Sequence, residues 1–384
     1  MKFDELAEVY TSMTLRSLGF SLMGVFVPVY LYTTGVNLET LFFMFGMFFL
    51  MRVPMSFFIA RLVGRIGPKH SMAVSTLLLI VFLLVLLTYQ QFGWPLLFLM
   101  FLFTTSNGLF FISTHIDFSK IKHARHGGKE LGWLFIFERV GSAIGPVLGG
   151  IIASLFAPEA TIVCAIAVLS VSVVPLFFSK EPVKTHQNIT FNGFKNRNHV
   201  RDFVSLSSFN VVNVANGFIW PLLLVSFILV DDTYVKLGAL VGLSMAISLV
   251  SARMFGGFID NKKGGSLLRY GAVMNVVLQI GRSITTTLGG ATVVSALGEP
   301  VNLMQKMPLV KGFYDTADDS EKYRIVYIVW AEVWVGIIKA GYLFTLYMLS
   351  RFHDPITVMR VSFVCVGFIG LVTLVERFPA LKRV

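Results

Sequence analysis

The sequence predicts an all-α polytopic membrane protein, with twelve transmembrane helices in two pseudo-symmetric six-helix bundles. Three observations carry this expectation: an apolar excess too large for a soluble core, twelve apolar runs of bilayer length, and an echo between the two halves of the chain. The 384 residues are 55% hydrophobic and 14% charged, with mean hydropathy +0.75. Soluble domains are about half apolar and about a quarter charged, and single cores stop growing near ~250–300 residues. The surplus must face lipid.

A helix crosses a bilayer with roughly 20 predominantly apolar residues. Twelve runs qualify, at about 13–34, 39–62, 69–89, 93–116, 130–156, 158–179, 204–229, 234–258, 266–286, 288–308, 323–350 and 355–375. The ninth and tenth are the most polar, holding Arg282, Thr285 to Thr287, Glu299 and Gln305. Eleven spans, or a re-entrant pair in their place, stay open. With the N-terminus inside, 25 of the 32 Lys and Arg fall at inner ends and connections, and only Lys236 and Arg351 fall outside. The positive-inside rule then places both termini in the cytoplasm, and the plasma (cell inner) membrane is the expected location.

The formal charge of +11 is distributed along these connections. It does not form the basic face of a soluble fold, so no nucleic-acid partner is expected. The first residues are acidic and amphipathic, without a basic leader region or a small-residue cleavage site, and predict no cleaved signal peptide. Cys164 and Cys365 lie within apolar runs and read as packed free thiols. Neither a disulfide framework nor a metal-ligand spacing is present.

The longest polar stretch, from Lys180 to Asp202, separates two groups of six spans. This divides the chain into an N-terminal bundle (1–179), a cytoplasmic linker (180–203) and a C-terminal bundle (204–384). Gly24 and Pro28 in span 1 match Gly217 and Pro221 in span 7 at an offset of 193. Glu138 and Gly141 in span 5 match Glu332 and Gly336 in span 11 at offsets of 194 and 195. The connection after span 2 (ARLVGRIGPK) resembles the one after span 8 (GGFIDNKKGG). Two related bundles about an axis normal to the membrane are an architecture that places a site at the midplane.

Span 5 carries Gly132, Gly141, Gly145, Pro146, Gly149 and Gly150 in the pattern G-x8-G-x3-G-P-x2-G-G. Glycines at i and i+4 let another helix approach closely, and Pro146 removes one backbone hydrogen bond. This pattern resembles motif C, the antiporter motif, of drug-efflux members of the major facilitator superfamily. The connection from Ala60 to Lys69 resembles that superfamily's motif A, with Gly64 at the acidic position; the copy in the second half keeps Asp260. The resemblance implies that an acid here helps latch the cytoplasmic side, a role that falls to Asp260. In span 4, Thr104 stands where the family's motif B carries an Arg tied to proton coupling, ahead of Asn107 and Gly108. The coupling ion, a proton or none, is thereby left open.

An ionisable residue within a span costs ~2.5–3.5 kcal/mol on insertion scales and is a site candidate by default. The deep ones are Arg52, Glu138, Arg139, Glu299, Glu332 and Lys339. The resemblance implies that span 2 lies beside span 11 and span 5 beside span 8. Two pairs bridging the halves follow as expectations: Arg52 with Glu332, and Glu138 with Arg253. Glu332 and Lys339 are two helical turns apart and share a face. Arg139 and Lys339 then remain as cations toward the cavity, which favours a substrate with an anionic group. Spans 1, 4, 7 and 10 line the cavity in the resembled family. Asn210, Asn213 and Asn216 form a polar stripe on span 7 below Trp220, and Asn107 and Glu299 occupy equivalent places in spans 4 and 10. These are the candidate substrate contacts.

The sequon at Asn188 falls in the connection placed inside, and the group His115, Asp117, His123 and His126 straddles a span end without tight ligand spacing. No nucleophile elbow, phosphate loop or zinc helix is present, so an enzyme and a primary pump are not expected. No cofactor is implied. The sequence thus leads to a monomeric secondary transporter that moves a small amphipathic or drug-like molecule by alternating access, most simply an exporter. Lipid or lysophospholipid translocation on the same fold is an alternative, as is a non-transporting receptor or assembly factor.

Overall fold

A computed structural model describes residues 2–24, 26–121, 127–177, 189–191, 193–194, 196–229, 232–260, 263–319, 323–378 and 381. Helices occupy all twelve positions. They are α1 (Lys2–Gly24, continued by Phe26–Thr33), α2 (Leu38–Ile66), α3 (Pro68–Leu87), α4 (Leu96–Ile121), α5 (Gly127–Leu155) and α6 (Pro158–Ser172). The second set comprises α7 (Val200–Val214, extended to Ile228), α8 (Thr233–Asp260), α9 (Gly264–Ile284), α10 (Leu288–Asp319), α11 (Arg324–Ser350) and α12 (Pro355–Leu371). No strand occurs among the described residues. Ten of these segments are long and apolar enough to cross a membrane; α9 and α10 are equally long but more polar.

Local chemistry sets the ends. Asn37 caps α2 by accepting from the Thr40 backbone N–H at 2.8 Å. Gly67, at φ 88°, closes α2 and opens α3 in a single residue; that conformation favours glycine. Prolines begin α3, α6 and α12, where the missing N–H costs nothing. Helix α7 is irregular, with π turns at Ala215–Ile219 and Leu224–Ile228 flanking one α turn at Trp220–Leu223. Pro221 cannot donate to the carbonyl one turn earlier, which loosens the ladder there.

Within the first six helices, α1 packs on α5 and α6, α2 on α4, and α3 on α4 and α6. The last six repeat the scheme: α7 on α11 and α12, α8 on α10, and α9 on α10 and α12. The two sets meet chiefly along α5 with α8 and α2 with α11. The glycines of α5 explain how closely it fits. A Cβ on Gly141, Gly145 or Gly149 would strike the α1 backbone near Thr14, Leu22 and Leu22 respectively, whereas one on Gly150 would lie 2.6 Å from the Tyr234 carbonyl of α8. In return Gly238 of α8 admits the carbonyl of Pro146. One glycine-rich helix therefore contacts its own set on one side and the opposite set on the other.

Two apolar clusters, each drawn from both sets, lie toward opposite ends of the molecule. On the far face from the termini, Phe45 meets Phe218 at 4.2 Å between ring centroids and Thr33 bonds Tyr234 at 3.0 Å. Toward the terminal face, Phe57 meets Trp330 at 5.7 Å. Cys164 and Cys365 are exposed rather than packed inside. An apolar run in a membrane helix is apolar on its lipid side too, so it does not tell which way a thiol faces.

Replacing Gly150 by Ala should lower the melting temperature in detergent, with a loss of about 1–3 kcal/mol from overpacking. Gly217→Ala, whose Cβ would meet nothing within 4 Å, should leave it unchanged or raise it, because Ala is the better helix former by ~1 kcal/mol.

Candidate functional site

Between the two apolar clusters lies a layer of charge. Arg52 of α2 reaches Glu332 of α11, Nη2 to Oε2, at 2.7 Å. His115 of α4 sits beside this pair, with Nε2 3.9 Å from the other Glu332 oxygen and Nδ1 2.7 Å from the Tyr314 hydroxyl of α10. Arg139 of α5 forms an ion pair with Glu299 of α10, and Lys306 of α10 approaches both oxygens of Glu138 at 3.4 Å. All of these links join one half to the other. In a low-dielectric interior each would be costly to leave open, since breaking a buried pair by removing one partner costs about 3–5 kcal/mol.

The expected bridge between Glu138 and Arg253 is not formed. Arg253 is exposed, on the same outward face of α8 as Val250 and Met254, and Glu138 turns instead to Lys306. Lys306 reads from sequence as the inner end of the tenth span, but α10 continues to Asp319 and places it well inside the helix. Arg139 is also not a free cation toward a cavity, because Glu299 holds it and Met245 lies against it. Lys339 has no ion-pair partner among the described residues. Its ammonium stands 4.8 Å from the centre of the Phe49 ring, within electrostatic reach of Glu332 and Arg52.

A second polar group lies wholly in the C-terminal set. Asn216, in the first π turn of α7, accepts from Gln279 at 2.8 Å and from Arg282, both on α9. The Arg282 guanidinium is buried, stands 5.3 Å from the Trp220 ring centre, abuts Gly298 and has Glu299 within electrostatic reach. Trp220 donates to Ser295 at 3.0 Å. Arg282 has no carboxylate within ion-pair distance among the described residues, and its Nε has no acceptor. Together Arg52, Arg139, Arg282, Lys306 and Lys339 outnumber Glu138, Glu299 and Glu332, so the layer carries excess positive charge.

The remaining candidates divide. Asn107 and Asn210 are turned onto their own helices, donating to Phe103 and Leu206 carbonyls at 2.9 Å each. Asn213 and Asn216 are half-buried on the face of α7 toward Gly217. The surroundings of Gly132, the side chain of Asp260, the sequon at Asn188, and His123 and His126 lie outside the described residues. No metal-ligand group occurs among those described. Sequence reasoning did not place Lys306, Arg282, Gln279 or Tyr314 among the site candidates. The available signal was the unusual polarity of the ninth and tenth spans, which marks them as lining an interior.

Residues 9–304 match the sequence profile of the Major Facilitator Superfamily. Over 226 residues the chain is 27% identical to the Multidrug resistance protein MdtG of Proteus mirabilis (strain HI4320), covering 54% of each sequence. The chain thus spans about half the length of the curated relative it matches. In fold it is similar to the major facilitator transporter FucP in the outward conformation, at TM-score 0.66 and 12% identity over 96% of this chain and 98% of that one. A second structure, a variant of the E. coli fucose:proton symporter FucP, matches at TM-score 0.63 and 13% identity with the same coverage. With a family profile spanning both halves and helices paired alike in each, the chain belongs to the Major Facilitator Superfamily.

Proposed function

We propose that this transporter-family protein moves a small amphipathic molecule bearing an anionic group by alternating access, in the direction of export. The observation that carries the reading is the way each half-buried carboxylate is flanked. Glu332 has Arg52 from the opposite half and Lys339 on its own helix; Glu299 has Arg139 opposite and Arg282 in its own half; Glu138 has Lys306 opposite and Arg139 beside it. When the halves separate at this level, each carboxylate loses its partner across the gap and turns to the cation in its own half. No carboxylate is left alone in hydrocarbon, which is what would otherwise make the opening prohibitive. The aromatic contacts of Phe45 with Phe218 then close the far face while the ionic layer opens, and the reverse.

The excess of cations supports an anionic group on the substrate, which would compensate Lys339 and Arg282 while it is bound. Export is supported by the glycine motif of α5 and by the multidrug name of the Proteus relative. The distribution of basic residues supports a cytoplasmic location for both termini and a plasma-membrane setting.

A charge-swapped pair, Arg52→Glu with Glu332→Arg, separates partner exchange from a static bridge. It restores the attraction across the halves, and the melting temperature should recover relative to either single change. Transport should stay at least tenfold down, because the swapped cation on α11 stands two turns from Lys339 with no carboxylate to turn to. A neutral double replacement, Arg52→Gln with Glu332→Gln, that transports normally would sink the exchange reading.

A thermal-shift screen of purified protein identifies substrates, since ligands that bind the folded state raise its melting temperature. Lys339→Met should raise the half-saturating concentration of anionic hits by about tenfold, the equivalent of one charged hydrogen bond of ~1.5 kcal/mol, and leave cationic dyes unaffected. Movement of labelled lysophospholipid without movement of soluble hits would replace this reading with lipid translocation.

A further inference from the structure

The outer surface of the C-terminal half is cut by a groove of about 720 Å³ between α7, α11 and α12. Val211 lies in its floor, and Ile338, Val361 and Cys365 stand in its walls. The walls are open to the outside, with Ile338 40% and Val361 57% exposed. The groove extends along α12 from Thr357 to Val372. At ~1.5 Å per residue that is about 22 Å, most of the ~30 Å of bilayer hydrocarbon.

Its chemistry excludes a polar ligand along this length. Of the hydroxyls that line it, Ser208 donates to Ser205, Thr345 to Gly341 and Ser362 to Met359, each to a backbone carbonyl, and Tyr342 bonds Ser362. Thr357 bonds Asp354, and of these lining hydroxyls Ser207 Oγ, buried at the floor, is the one without a partner among the described residues. What remains toward the opening is hydrocarbon, in a slot long and straight enough for an extended alkyl chain.

One end has a different character. At the corner between α11 and α12 stand Arg351 and His353, both exposed, beside Phe352, which is 82% exposed. His353 itself lines the end of the groove. The neighbouring Asp354 is engaged as the cap of α12, accepting from the Thr357 backbone N–H at 2.8 Å, and that bond holds its carboxyl below the usual carboxylate range. Its charge is thus directed at the helix start. Arg351, which donates to the Tyr347 hydroxyl at 3.4 Å, supplies the cation at the groove mouth, and the His353 imidazole beside it offers a hydrogen bond toward the head-group region.

We propose that this groove binds an anionic phospholipid of the leaflet at the Arg351 end, with one acyl chain laid along α12 and the phosphate at Arg351 and His353. The site lies on one half of the molecule and away from the charged layer, so it stands or falls independently of the transported substrate.

Cys365 reports its occupancy. In a Cys164→Ser background, the purified full-length protein in detergent is modified with N-ethylmaleimide, with and without palmitoyl-oleoyl phosphatidylglycerol. At lipid ten times above its Kd only about one groove in eleven is empty, so modification should slow by about tenfold. Phosphatidylcholine with the same chains should protect less, glycerol phosphate should not protect, and Arg351→Gln should erase the difference between the two lipids. In the reciprocal Cys365→Ser background, Cys164 on α6 should react at one rate throughout. An unchanged Cys365 rate, equal slowing at Cys164, or equal protection by phosphatidylcholine in the unmodified Arg351 protein would overturn the proposal.

Discussion

A charge moved from water into hydrocarbon loses more solvation than any single partner readily restores, and the interior of this protein is organised around that cost. The layer formed by Arg52, Glu332, Arg139, Glu299, Glu138 and Lys306 is closed by pairs that reach from one half to the other. Apolar clusters lie toward each end of it. Without the cross-half partners the same residues would repel one another or drive the halves apart. With them, the two halves are held face to face by interactions whose value depends on alignment.

Such an arrangement needs a rigid frame, and α5 supplies much of it. Its glycines bring it onto the backbone of α1, and Gly150 and Pro146 bring it onto α8. Packing at backbone distance has almost no lateral slack. The helix that carries Glu138 and Arg139 therefore also fixes the spacing between the halves at that level. On the opposite side of the molecule, α2 and α11 meet where Gly336 lies 3.1 Å, as judged by an added Cβ, from the Phe49 carbonyl, one turn from Arg52 and Glu332. Close packing and charge pairing are found on the same helices because each stabilises the register the other needs.

The spans and the duplication were legible in the sequence because apolar periodicity and length are set by the bilayer itself. So was the approach of Arg52 to Glu332, since both lie at similar depth on spans that the resemblance to the superfamily places side by side. The partner of Glu138 was not. The resemblance and the depth of the residues pointed to Arg253, but depth says nothing about face, and Arg253 looks outward with Val250 and Met254. Lys306 was hidden for a related reason: the apolar run ends at about residue 308, while the helix continues to Asp319 as a more polar extension. The polarity that made spans nine and ten doubtful is the same polarity that Arg282, Gln279 and Asn216 satisfy among themselves.

Helix α7 places Asn216 and Phe218 in one π turn, with Asn216 tied to the α9 cluster and Phe218 against Phe45 of the other half. Asn216 and Phe218 are two residues apart, so any shift of this turn that moves the ring also moves the asparagine. The aromatic contact between the halves and the polar cluster inside the C-terminal set are therefore mechanically joined through one irregular turn.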